Sequence, residues 1–233
     1  MISFKTGALL AVSSAALGLL LAACGVNAGT SLPAGVGRAP ASSSLNSAAA
    51  WSVYNYNPAD TNITPTPADY ANGTATFHFQ KGVYTARLTT DANTLTGDLS
   101  AKTLNAALSI SGATGAFVDH LGGGCRNPPA VRFFFITQGQ GGFAYTNYWW
   151  SNPVSWVLAN GTTNLTQKVN DPAKWSDFNG KLGTNDPATT AAFEAAIANV
   201  QTVGLSFGED CFFENGTTTS DGSGTFSSTF TES

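Results

Sequence analysis

Residues 130–138, AVRFFFITQ, set the strictest condition on any fold this chain can adopt. Side chains on a strand alternate between its two faces. Val131, Phe133 and Phe135 therefore share one side, and Arg132, Phe134 and Ile136 share the other. Both sides are apolar apart from Arg132. Such a strand belongs in the middle of a sheet covered above and below.

Most of the chain from Trp51 onward shows a period of two. In ATFHFQ, Ala75, Phe77 and Phe79 alternate with Thr76, His78 and Gln80. In VYTARLTT, Tyr84, Ala86 and Leu88 alternate with Thr85, Arg87 and Thr89, the pattern of a half-buried strand. Lys81-Gly82 between these two strands predicts a tight hairpin turn. NAALSISG sets Leu108 and Ile110 against Ala107 and Ser109. VSWVLANGTTNLTQKV reads as a second hairpin turning at Asn160-Gly161. VGLSFG gathers Val203, Leu205 and Phe207 on one face, and Phe226 and Phe230 mark a final Ser/Thr-rich strand. One helix is expected over about 187–199. Asp186 is its N-cap, Pro187 suits its first turn, and Phe193, Ile197 and Val200 form its apolar stripe with Glu194 outside. Short strands, Gly/Asn/Pro turns and one accessory helix predict an all-β fold, an antiparallel β-sandwich of the jelly-roll type.

The chain opens MISFKTGALLAVSSAALGLLLAACG. One lysine precedes an uncharged Ala/Leu-rich run that is short for a membrane span and has the form of a signal-peptide core. Leu21-Ala22-Ala23-Cys24 resembles the lipobox of bacterial lipoproteins. That resemblance implies cleavage before Cys24 and its acylation. Several acyl chains, each contributing roughly 0.8 kcal/mol per buried methylene, would hold the protein on a membrane lipid surface without a spanning helix. The expected organisation is a signal peptide over 1–23, a flexible tether over 24–50 (small, polar and broken by Pro and Gly) and one sandwich domain over 51–233. The location implied is the extracytoplasmic side of a bacterial envelope, with the outer membrane favoured where the cell has one. Without Lys5 there are nine basic residues against fourteen acidic, and no basic patch, which argues against nucleic acid as a partner.

Cys125 and Cys211 remain in the body of the chain, 86 positions apart. An oxidising compartment makes a disulfide the default. Closing so long a loop is worth on the order of 4–5 kcal/mol in the chain-entropy description. A metal site is the alternative, but neither a CxxC spacing nor a histidine pair accompanies the cysteines.

The second half carries a family resemblance. TNYWWSNPVSW, DPAKWSDFNGKLG, FEAAIANV, VGLSFGEDCFFENG and GTFSSTFTES occur in that order. The set resembles a group of uncharacterised bacterial exported proteins whose domains are similar to galactose-binding-like β-sandwiches. It spans roughly residues 131–231. The group usually has a Gly-rich stretch after the LSFG strand, where this chain has acidic GEDC. The resemblance implies a sandwich fold, and sandwiches of this kind serve sugar binding, protein binding and structural roles alike.

Groups for chemistry are few. His78 is expected on the polar face of a strand. His120, beside the Gly-rich residues 122–124, has the type of a general base, but no nucleophile elbow or zinc signature accompanies it, and no catalytic residue is assigned. Glu209 and Asp210, with Glu214 near, form the best acidic cluster. They are either a solvated loop or oxygen ligands for a structural calcium. Aromatics are the remaining signal, because sugars stack on Trp and Tyr. In an extended FAYTNYWW, Phe143, Tyr145 and Trp149 share one face, read as inward. Tyr148 and Trp150 share the other and form the candidate ligand platform. Trp156 and Trp175 read as packing residues. The expectation is a lipoprotein with a non-catalytic sandwich domain that binds carbohydrate or another envelope component. The alternatives are a polysaccharide-acting hydrolase, which needs convergent carboxylates, and a structural or assembly lipoprotein, which needs an exposed apolar patch.

Overall fold

A computed structural model describes residues 51–56, 63–92, 95–120, 128–137, 145–210 and 212–233. Cys24, Cys125 and Cys211 lie outside the described residues, as do Phe143, Ala144 and the expected signal peptide and tether. Among the described residues no helix is long and apolar enough to cross a membrane.

The strands β1 (Trp51–Tyr56) and β2 (Ile63–Pro67) pair in one sheet, while β3 (Asp69–Ala71) and β4 (Thr74–His78) cross to a second. The chain returns with β5 (Tyr84–Thr90) beside β1 and goes back with β6 (Thr103–Ser111). The first sheet then takes β7 (Phe117–Asp119), β8 (Ala130–Ile136), β9 (Tyr148–Ser151) and β10 (Trp156–Val157). Next, β11 (Gly161–Lys168) joins the second sheet and β12 (Trp175–Asp177) the first. The helix α1 (Pro187–Ile197) precedes β13 (Thr202–Gly208) and β14 (Thr217–Thr219) of the first sheet, and β15 (Thr225–Glu232) ends in the second. The first sheet runs β12-β9-β8-β13-β5-β1-β2, with β10 on β8, and with β14 between β5 and β7. The second runs β11-β6-β15-β4-β3. All of these pairings are antiparallel, so the expected all-β sandwich is the architecture observed.

The two sheets differ in how they are covered. The second has one wet face: along β6, Leu104, Ala106, Leu108 and Ile110 are buried while Ala107 is exposed. Its inner face meets Val131, Phe133, Phe135, Leu205 and Phe207 of the first sheet in the main core. Phe207 crosses Phe226 edge-on at 5.0 Å, and Phe77 stacks on Phe226 at 5.1 Å. The first sheet is buried on both faces. All seven residues of β8 are buried, as AVRFFFITQ requires, and so are the last six of β5. VYTARLTT is therefore not half-buried as its alternation predicts. The Thr85/Arg87/Thr89 face is covered as well, because a second layer lies over it.

Both predicted hairpins change partners. Lys81-Gly82 does turn, with Gln80 bridging Val83, but β4 and β5 then part into opposite sheets. Asn160-Gly161 joins no hairpin: β10 pairs with β8, and β11 pairs with β6. Asn160 is held by the turn after β6, accepting from Ala113 N–H at 3.0 Å and donating to its carbonyl at 2.6 Å. Gly161 takes a φ of 133°, which lets the chain swing from one sheet to the other there. Helix α1 is capped as expected, Asp186 accepting from Thr189 N–H at 2.8 Å. It ends at Ile197, and Val200 lies beyond it, bonded to Gly97.

Candidate functional site

Two rows of residues cross the outer face of the first sheet. One is Tyr54, Arg87, Ser206 and Arg132, and the other is Ser52, Thr89, Gly204, Phe134, Trp150 and Ser176. Strand alternation brings them together, since each strand gives its even or odd set to this side. The face is not open to water. Phe134, Ile136 and Trp150 form a second small core, against which Tyr148, Phe178 and Phe213 pack. Phe178 comes from the turn after β12, and Phe213 from the segment after β13. Gly208 makes the second approach possible: a Cβ there would lie 2.5 Å from the Phe212 carbonyl oxygen.

This corrects the platform reading. Residues Tyr145–Asn147 form a 3-10 turn, and the strand begins only at Tyr148. Trp149 points into the main core and Trp150 to the outer face, as the alternation predicts. Trp150 is nevertheless only 2% exposed, so it is no free-standing stacking surface. Instead it lines a cavity of about 270 Å³ with Asp177, Phe178, Asn179, Gly180, Asp210, Phe212 and Phe213. Tyr148 stacks near Trp150 at 6.2 Å and is half-buried, but it does not line the cavity. Trp175 is buried, and the half-buried Trp156 packs against the main core.

The floor beside the cavity is polar and buried. The Arg87 guanidinium lies 4.7 Å over the Tyr54 ring and 5.5 Å over Phe134, and its Nε is 3.8 Å from Glu214. Burial pushes the Glu214 carboxyl up, against the pull of Arg87 and of the Trp150 indole. The indole N–H faces Glu214 without closing a hydrogen bond of good geometry. Arg132 lies 4.1 Å over Phe213, and burial lowers it to about 10 against the holding effect of Asp210. Tyr56 is raised to about 12, first by burial and then by Glu214. Among the described residues, most buried side-chain atoms lacking a hydrogen-bond partner cluster here, including the Nε of both arginines, Ser206 Oγ, Thr217 Oγ1 and Glu214 Oε1. Buried polar atoms ordinarily find partners, so this concentration distinguishes the face from the rest of the core.

The acidic cluster divides. Asp210 is exposed and lines the cavity, whereas Glu209 is buried and turns away to Asp119. The hydrogen bond that the Glu209 carboxyl donates to Asp119, burial, and the charges of Asp119 and Asp210 together hold Glu209 up to about 7. A hydrogen-bonded carboxyl pair is closer than the roughly 5–10 Å at which glycosidases hold theirs. Among the described residues no group of three His, Cys, Asp or Glu side chains converges on a point that could hold a metal ion. His120 stacks on Tyr56 at 4.7 Å with Tyr84 at 5.0 Å on another side. His78 is exposed on β4 and bonds to Thr225 Oγ1 at 2.8 Å. Phe178, Phe212, Phe213 and Asp177 are site residues that pattern reading misses. The signal for Phe178 is the turn sequence SDFNG, which places an aromatic in a loop with no core of its own to enter.

No protein-family model matches this chain, and neither a curated protein nor a solved structure matches it.

Proposed function

We propose that this chain is an envelope lipoprotein whose sandwich domain binds a saccharide or a similar small envelope component at the cavity around Trp150, Phe178, Phe212 and Phe213. The observation that carries this reading is the lining itself. Four aromatic rings meet Asp177, Asn179 and Asp210 around one cavity, the combination of apolar walls and a few fixed polar groups that small-ligand sites use. The carboxyl pair Asp119–Glu209 does not line that cavity. The resemblance to galactose-binding-like sandwiches points the same way.

Calorimetric titration with a panel of neutral, acidic and amino saccharides tests it. Binding that falls at least about ten-fold in Phe212→Ala and Asn179→Ala, a loss of ~1.4 kcal/mol, is the expected result. Binding unchanged in both variants, or none across the panel, would exclude this cavity as a saccharide site. The anchor is a separate part of the reading, resting on the LAAC motif at Cys24. The protein should fractionate with membranes and Cys24→Ala should release it; membrane retention of that variant would sink the anchor.

A further inference from the structure

We infer that the ligand of this cavity carries an ammonium group, as an amino sugar or a choline-type headgroup does. The inference rests on the cavity being a binding site and names the chemistry it selects. Among the described residues lining it there are two acidic side chains, Asp177 and Asp210, and no lysine or arginine. An anionic ligand would meet repulsion. A neutral saccharide needs donors as well as acceptors, and among the described residues Asn179 is the only lining side chain with an N–H of its own apart from the Trp150 indole, which faces Glu214. An ammonium group only donates, and it matches a lining dominated by acceptors.

The rings fit the same conclusion. Phe178 is tilted 54° to Trp150 and 66° to Phe212, and Phe213 is tilted 68° to Trp150. Rings set at such angles wall a compact cation on several sides, whereas a pyranose stacks best on one flat face. This layer already holds cations against aromatic faces, at Arg87 over Tyr54 and Arg132 over Phe213. Arg132 offsets part of the charge of Asp210 but does not line the cavity. Asp177 is fixed in place, because its Oδ1 accepts from the backbone N–H of Asn179 and of Lys181 at 2.9 Å each. Asp177 is therefore held in one orientation at the cavity wall.

The test is calorimetry on the full-length protein in detergent, in slightly acidic buffer that keeps the amino sugar charged. The probes are choline and glucosamine, each with a neutral counterpart, 3,3-dimethyl-1-butanol and N-acetylglucosamine. We expect a charged probe to bind at least about ten-fold tighter than its counterpart. Asp210→Asn and Phe178→Leu should each remove most of that preference while thermal unfolding stays near wild type. Whichever charged probe binds identifies the source of the group. A neutral counterpart binding as tightly as its charged partner overturns the inference and leaves the saccharide reading standing. Charged-probe binding unchanged in both variants overturns it by placing the site elsewhere. Absence of binding by either charged probe overturns it too, and the saccharide panel then judges the broader reading separately.

Discussion

Arg87 sits 7% exposed on the outer face of the first sheet, with Glu214 at 4% beside it. Removing one member of such a pair leaves the other charge buried and unmatched, which typically destabilises by ~3–5 kcal/mol. Arg87→Met should therefore lower the urea midpoint sharply. Adding Glu214→Gln should recover much of the loss, because a neutral amide tolerates burial far better than a carboxylate. Equal stability of the single and double variants would show that the pair is not coupled. The exceptional residues of this layer were visible in the sequence as breaks in pattern: an arginine inside AVRFFFITQ and another inside VYTARLTT. Their partners were not. Glu214 and Phe213 come from a segment with no period of its own, and only the folded chain brings them over β5 and β8.

Among the elements, strands and the helix followed local rules, and their destinations did not. Alternation in ATFHFQ and NAALSISG gives the buried sets of β4 and β6 directly. The same kind of turn chemistry at Lys81-Gly82 and Asn160-Gly161 suggests hairpins, yet each turn delivers its strands to different sheets. Turn residues specify a local reversal; which sheet receives the next strand depends on pairings distant in sequence, as of β11 with β6 and of β5 with β13. The residues around Asp119 and Asn215 show how distant segments meet. His120 donates its backbone N–H to Gly216 at 3.0 Å. Asn215 donates to Asp119 at 2.9 Å. Asp119–His120 and Asn215–Gly216 are thus tied together, while pairing of Cys125 with Cys211 is a proposal that rests on the sequence. Reduction should lower thermal stability, by up to ~4–5 kcal/mol in the chain-entropy description. Two free thiols titrating in the native, unreduced protein would refute the bond.

At the scale of the whole molecule, two sets of carboxyls pull the pH dependence in opposite directions. Glu209 is ordinarily near 4.5 and is held at about 7 when folded. The folded state therefore binds the extra proton between these values, and stability falls as pH rises through that window. Glu214, also raised, acts with the same sign. Asp186 moves from 3.8 to about 2 on capping α1, and Asp221 is likewise lowered, by Ser223 and Thr114. Their stabilisation is present above the unfolded value and is lost as pH falls below it. Maximum stability is thus expected in mildly acidic solution, between about pH 4 and 5. Denaturant unfolding from pH 3 to 8 checks this, and Glu209→Gln should flatten the alkaline limb. A profile that rises steadily to pH 8 would contradict the assignment.

The position of β15 carries a consequence for how the domain assembles in time. It lies between β6 and β4, and Thr74 meets Thr229 across 155 positions of sequence at 2.9 Å. The middle of the second sheet is therefore missing until residues 225–232 are present. Sheets joined by such distant pairings close slowly, because loop entropy is lost before contacts are gained. Synthesis or threading from the N-terminal side would leave the second sheet divided until β15 emerged.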